Sequence, residues 1–134
     1  MVRSRKSDMK IERFEDIEAW KAARTLVRDT YAVSGADAFA KDFGLRDQIR
    51  RAAVSVMANI AEGFDGRSTQ EFLRFLGYAF RSATEVQSHL YVALDQAYIR
   101  DVDFDAVYQR AADAKRLISG FIRYLNQVKE RDLQ

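Results

Sequence analysis

Residues 103–128 read DFDAVYQRAADAKRLISGFIRYLNQV, and this stretch decides the fold. Its apolar positions recur at alternating steps of four and three residues: Val107, Ala111, Ala114, Ile118, Phe121, Leu125 and Val128. Such heptad spacing places one apolar stripe along an α-helix and suits packing at about +20° against neighbouring helices. The stretch therefore predicts a long helix, beginning near Asp103, that belongs to a helical bundle.

Three further apolar stripes with helical spacing precede this one along the chain. The first predicted helix runs from about Asp16 to Tyr31 and carries Ile17, Trp20, Ala23, Val27 and Tyr31. The second runs from about Gly44 to Ala61 and carries Leu45, Ile49, Ala53, Val56 and Ile60. The third follows a capping box at residues 68–71 (STQE), ends near Ala97, and carries Phe72, Leu76, Ala79, Ala83, Val86, Leu90 and Leu94.

Composition supports a single all-α domain. The chain has 134 residues with 48% apolar and 31% charged side chains, which is typical of a globular domain, and it contains no proline. We predict an up-down-up-down antiparallel four-helix bundle over residues 13–130, with a link at residues 36–43 between the first two helices. A basic N-terminal tail is predicted at residues 1–12 and a C-terminal tail at residues 131–134.

The sequence holds little that could support catalysis. Cysteine is absent and His89 is the one histidine, so we expect no metal site, no cofactor and no catalytic residue. His89 follows Glu85 by four residues, whereas bundle metal sites use a spacing of three. The segment at residues 63–68 lacks the lysine and the spacing of a phosphate-binding loop. An enzyme is therefore the least favoured interpretation.

No apolar run approaches the roughly 20 residues of a membrane span, and the N-terminus has no apolar segment typical of a secretory signal. The expectation is a cytoplasmic protein that does not enter the membrane.

The second and third predicted helices are more apolar than outer helices of a small bundle need to be. The surplus positions are Val54, Met57, Ala58 and Ala61 on the second helix, and Leu73, Gly77 and Phe80 on the third. Because two adjacent helices share this surplus, we predict a subunit interface there. The alternative is a monomer that exposes some alanines, which is common.

A polar stripe runs along the second helix beside that apolar surface, formed by Gln48, Arg51, Ser55, Asn59 and Glu62. Asn59 and Glu62 are placed to reach the turn at residues 64–68 and to stabilise the start of the next helix. We therefore interpret both side chains as structural and not catalytic.

Residues 48–64, QIRRAAVSVMANIAEGF, resemble a known family motif, as do FEDIEAW at residues 14–20 and the pattern SxxEFxxFL at residues 68–76. The family is that of four-helix-bundle proteins encoded in intervening sequences of bacterial 23S ribosomal RNA genes. It is similar in turn to the accessory variability determinant of diversity-generating retroelements. The resemblance covers residues 10–128.

The resemblance implies a left-handed bundle that assembles into a ring, a homopentamer. Ser55, Asn59, Glu62 and Gly63 match the family motif as structural residues, whereas Met57 stands where the family typically has proline. That departure removes a helix kink or a tight approach at this point. The retroelement relative implies a scaffold that holds nucleic acid and, in a retroelement context, a reverse transcriptase.

Two function hypotheses remain open. The first is a scaffold that binds RNA or DNA, with RNA favoured, through Arg46, Arg50, Arg51, Arg67, Arg74 and Arg81. The second is an oligomeric protein-interaction adaptor that binds no nucleic acid. The net charge of +2 leaves them open, because residues 1–14 hold five basic and two acidic side chains, a net +3, and the other 120 residues sum to −1.

Overall fold

The computed structural model describes residues 11–133, with side chains up to residue 131. A 3₁₀ turn at Phe14–Asp16 is followed by α1 at Glu18–Ser34, α2 at Asp37–Lys41, α3 at Phe43–Phe64, α4 at Thr69–Asp95 and α5 at Asp101–Leu133. No strand occurs within these residues. The predicted all-α class and its four long helices, α1, α3, α4 and α5, are confirmed.

The four long helices pack in the cyclic order α1, α3, α4, α5, because each contacts the next and α5 closes on α1. Contacts join opposite ends of neighbouring helices: Gly63 near the end of α3 lies against Phe72 near the start of α4. Arg50 near the start of α3 reaches the end of α1, and Arg110 near the start of α5 pairs with Asp29 late in α1 at 3.0 Å. All neighbours are therefore antiparallel, which is the predicted up-down-up-down arrangement.

The core consists of the predicted stripes of α3, α4 and α5. Every predicted core position of these helices is buried except Leu45, Leu94 and Val128, which are half-buried at the helix ends. Methionine at position 57 introduces no break, since α3 continues from Phe43 to Phe64.

The predicted core face of the first helix is wrong by part of a turn. Its buried residues are Ala19, Ala23, Leu26, Thr30 and Ser34, while Tyr31 is 44% exposed. The spacing of apolar residues did not reveal this face, because two of its buried residues, Thr30 and Ser34, are polar. The Ser34 hydroxyl donates to the Thr30 carbonyl at 2.7 Å and accepts from Arg50 Nε at 2.8 Å, so it is hydrogen-bonded although buried.

The predicted link at residues 36–43 contains the short helix α2. Phe39 anchors it, being fully buried and stacked on Tyr98 with ring centroids 5.6 Å apart. Asp42 then caps α3 by accepting from the Leu45 N–H at 3.1 Å. The link is folded because Phe39 belongs to the core, whereas the second phenylalanine of the link, Phe43, is 63% exposed.

The predicted domain boundaries lie inside the folded part of the chain. Ile11 is buried in the core, so folded structure begins at least two residues before the predicted boundary at residue 13. At the other end, α5 continues through residues 131–133, where a tail was predicted. The rest of the predicted basic tail, residues 1–10, lies outside the described residues.

Candidate functional site

The seam between α3 and α4 is the most extensive helix contact among the described residues, and Gly63 allows a close approach at one end of it. A Cβ atom at position 63 would lie 2.8 Å from Phe75 Cβ and 2.9 Å from Phe72 Cδ1, distances that real side chains do not show. Further along the seam, the Ser82 hydroxyl donates to Ser55 Oγ at 2.9 Å. Any site on the outer surface of α3 and α4 therefore sits on a rigid pair of helices.

Asn59 of the α3 motif forms its hydrogen bonds within its own helix. Asn59 Nδ2 donates to the Ser55 carbonyl at 2.8 Å and to its hydroxyl at 2.9 Å, and Glu62 is exposed. The expectation that Asn59 and Glu62 reach the following turn is therefore wrong, because the amide turns back by one helical turn.

The turn between α3 and α4 is held instead by the capping residues of α4. Ser68 Oγ accepts from the Glu71 N–H at 3.1 Å, and Glu71 Oε1 accepts from the Arg67 N–H at 3.2 Å. The predicted cap at Ser68 is confirmed, although Glu71 binds the N–H one residue earlier than a standard capping box predicts.

Four of the six predicted arginines lie exposed on the outer surface of this helix pair, namely Arg51 on α3, Arg67 just before α4, and Arg74 and Arg81 on α4. None of them forms an ion pair with another described residue. Nearby carboxylates are engaged elsewhere, since Glu71 accepts from the backbone and Glu85 binds His89 at 3.0 Å. Their charge is therefore available to a partner outside the chain.

The other two predicted arginines, Arg46 and Arg50, are held within the bundle. Arg50 donates to Ser34 and to the Tyr31 carbonyl, and its guanidinium lies 4.4 Å above the Tyr31 ring centroid. Arg46 lies 4.8 Å above the Phe43 ring, pairs with Asp47 at 3.1 Å and donates to the Ala40 carbonyl. Both link α3 to the chain before it, so we leave them out of the candidate site.

The predicted apolar interface divides into exposed and packed residues. Leu73, Phe80 and Met57 are half-buried and pack against the core, with the Lys115 ammonium of α5 4.8 Å from the centre of the Phe80 ring. Val54 is 40% exposed, and Ala58 and Ala61 are partly exposed beside it on α3.

Gly77 is the remaining member of the predicted interface, in the middle of α4. No described atom, apart from the neighbouring backbone, lies within 4 Å of a Cβ placed on it. Glycine inside a helix costs roughly 0.5–1 kcal/mol relative to alanine. No close packing among the described residues offsets that cost, and the space above Gly77 is open.

This bundle is shared with proteins of known structure and family. One matching solved structure is a protein of unknown function from the S23 ribosomal protein family of Bacteroides thetaiotaomicron. It has a TM-score of 0.72 and 22% sequence identity, covering 78% of this chain and 95% of that chain. The family model of the 23S rRNA-intervening sequence protein matches residues 15–120. The chain belongs to this family. No curated protein matches it significantly.

In this member of the 23S rRNA-intervening sequence protein family, sequence reasoning missed Tyr78. Its ring is 43% exposed and contacts the edge of Phe75 at a centroid distance of 5.6 Å. Tyr78 lies four residues after Arg74 and three before Arg81, so all three share one side of α4. That spacing of an aromatic residue between two basic ones was the signal in the sequence.

The described residues contain neither a candidate metal site nor a helix that could span a membrane. Residues 11–133 contain no group of three acidic, histidine or cysteine side chains that could hold a metal ion. None of the helices in that range is both long and apolar enough to cross a membrane.

Proposed function

We propose that this protein is a non-enzymatic, oligomeric scaffold that binds RNA through the arginine surface of α3 and α4. The observation that supports the proposal is the set of exposed arginines without ion pairs, Arg51, Arg67, Arg74 and Arg81, with Tyr78 between two of them. Guanidinium groups bind phosphates, and an exposed aromatic ring can stack on an unpaired base.

Single-stranded or looped RNA suits this surface better than a DNA duplex. A recognition helix for the major groove would carry polar side chains that read base edges, whereas this surface offers charges at seven-residue intervals and one ring. A reverse transcriptase becomes a further partner if the gene lies within a retroelement.

Assembly into a ring would raise the affinity for RNA, because each copy has only a small positive surface. One folded body outside residues 1–14 carries a net charge of −1, so a single arginine surface holds RNA weakly. A ring of copies repeats the surface around its axis and binds one RNA at several points, which raises the overall affinity. The proposed homopentamer uses the partly exposed α3 patch of Val54, Ala58 and Ala61, because these small side chains allow close helix approach.

The RNA-binding part is tested with Arg74→Glu combined with Arg81→Glu, in filter binding of a mixed single-stranded RNA pool at several salt concentrations. We expect loss of binding at low salt. The milder double substitution Arg74→Gln and Arg81→Gln should reduce the slope of log binding constant against log salt concentration by about 1.4, if both residues contact phosphates of a single strand. Arg24→Glu with Arg28→Glu on α1 makes the same charge change and should retain most of the affinity. Binding that survives the α4 charge reversal would refute the assigned surface.

The assembly part is tested with Ala58→Glu in size-exclusion chromatography with light scattering. The wild type should have a mass near five times 15.4 kDa, and the variant should dissociate while its helical circular dichroism is retained. Ala106→Glu, an exposed position on α5, is the control and should assemble normally. An unchanged large species for Ala58→Glu would rule out this patch as the interface.

The alternative function is an oligomeric protein adaptor without nucleic-acid binding. It is favoured by the exposed rings of Phe43 and Tyr31, at 63% and 44%, each covered on one face by an arginine of α3. Aromatic and arginine side chains together are typical of protein interfaces. A ring that forms normally but retains no RNA at low salt would favour the adaptor.

A further inference from the structure

A groove of about 570 Å³ lies between the start of α1 and the second half of α5. This volume is within the range of small-molecule sites. The groove is lined mainly by apolar side chains: Ile17, Ala19, Leu117, Phe121 and Tyr124. Because the helices follow the cyclic order α1, α3, α4, α5, this seam is opposite the arginine surface of α3 and α4. The two surfaces are therefore separate.

The groove is open at Gly120, a glycine that helix packing does not require. If a Cβ atom is placed on Gly120 and the neighbouring backbone is left aside, one atom of the described residues lies within 4 Å of it: Arg123 Nη2, at 3.8 Å. None of the described glycines has a positive φ, so backbone conformation does not demand glycine here either. The absent side chain leaves room in the groove for an apolar group from another molecule.

The rim of the groove is positively charged. Arg123 forms no ion pair with another described residue, and Arg116 makes only a loose pair with Asp113 at 3.8 Å, with its side chain 69% exposed. The uncapped N-terminus of α1 adds the positive end of its helix dipole. Glu18 is the one carboxylate of the lining, and it is engaged by Lys21 at 2.9 Å.

We propose that the groove between α1 and α5 binds a small anionic amphiphile, such as a medium-chain carboxylate. The apolar body lies along Gly120 and Phe121, and the carboxylate lies at the rim between Arg116 and Arg123. These arginines are seven residues apart, so they project from the same side of α5 about 10 Å from each other. A charged head with an apolar tail matches a groove with an apolar floor and a cationic rim.

Isothermal titration calorimetry with decanoate tests the proposal on the full-length protein. Gly120→Leu fills the groove and should weaken decanoate binding at least about tenfold, since the leucine side chain takes the space of the ligand. Gly44→Leu is the control, because it also replaces a helical glycine, lies outside the groove lining, and its Cβ would meet only Asp42 Oδ1, at 3.8 Å, among the described residues. It should leave decanoate affinity unchanged. Both variants should keep their helical circular dichroism, because leucine favours a helix more than glycine does.

The charge contribution is tested separately with Arg116→Gln combined with Arg123→Gln, which leaves the groove open. Decanoate binding should fall about five- to tenfold, while binding of the neutral analogue decanol should stay within about twofold, because decanol has no charge for the arginines to bind. Equal loss for both ligands, or no heat of binding for decanoate at about 1 mM, would overturn the proposal.

Two other occupants of the groove give different results, and each would overturn the proposal. If an apolar peptide with a free C-terminal carboxylate binds and decanoate does not, the groove takes a protein terminus. If Gly120→Leu changes the assembly mass and the wild type binds no decanoate, the groove is a contact between copies of this chain.

Discussion

Replacing Gly63 by alanine adds a single methyl group at a close contact between α3 and α4. That methyl carbon would lie 2.8 Å from Phe75 Cβ and 2.9 Å from Phe72 Cδ1. Phe72 cannot move aside easily, because its ring is buried and packs edge-to-face against Phe64 at 6.1 Å and Phe121 at 5.4 Å. The substitution must therefore separate α3 from α4 or distort both.

The expected loss follows from two opposing contributions. Overpacking of a tight core costs about 1–3 kcal/mol, and we take about 2–3 kcal/mol here because the methyl group meets a buried ring at 2.9 Å; alanine inside a helix gains about 0.5–1 kcal/mol over glycine. The free energy of unfolding of Gly63→Ala should therefore fall by about 1–2.5 kcal/mol, which lowers Tm by about 3–12 °C for a chain of this size.

Urea unfolding followed by circular dichroism measures this change, with all proteins at equal concentration because assembly contributes to stability. Gly120→Ala is the matched control: its methyl group meets only Arg123 at 3.8 Å, so the free energy of unfolding should rise by about 0.5–1 kcal/mol. If Gly63→Ala is as stable as the wild type or more stable, the close approach of α3 and α4 at this residue is refuted.

Two further predictions concern the connection between α4 and α5. Ala97 follows α4 with φ of 59°, a left-handed conformation that costs alanine about 1 kcal/mol, so Ala97→Gly should raise the free energy of unfolding by about that amount in urea. A loss of stability would contradict this explanation. The Tyr98 hydroxyl donates to Asp42 Oδ2 at 3.0 Å, and this hydrogen bond raises the Tyr98 pKa above 10.0. The stabilisation from Tyr98 is complete below pH 10 and is lost as pH rises through the folded-state pKa. Tyr98→Phe should therefore be less stable at neutral pH and lose less stability between about pH 9 and 11; parallel curves for the two proteins would contradict the assignment.

Of the six predicted arginines, four are exposed outside the bundle, whereas Arg46 and Arg50 are held by other parts of the chain. The seven-residue spacing of Arg74 and Arg81 predicts that they share one side of a helix, and both are exposed on α4; Arg67 is also exposed but precedes the helix. In the sequence Arg50 looks equivalent to them, yet it is bound to Ser34, sixteen residues away. A long flexible side chain can take a partner from a distant segment, and nothing in its local sequence indicates that partner.

By itself, the sequence determined the features that depend on local backbone geometry. Apolar spacing near 3.6 residues specified the four long helices and the core faces of α3, α4 and α5, and Ser68 specified where α4 begins. These features follow from the sequence because helix period and capping involve residues within about four positions of one another.

Tertiary structure alone decided the features that depend on contacts between distant segments. It selected the buried face of α1, where small polar residues pack, and it ordered α2 through Phe39. It also gave two helical glycines different surroundings: Gly63, near the end of α3, has aromatic rings against its backbone, and Gly120, within α5, opens onto a groove. The physical reason is that packing depends on the distance between helices, which the spacing of residues along one helix does not encode.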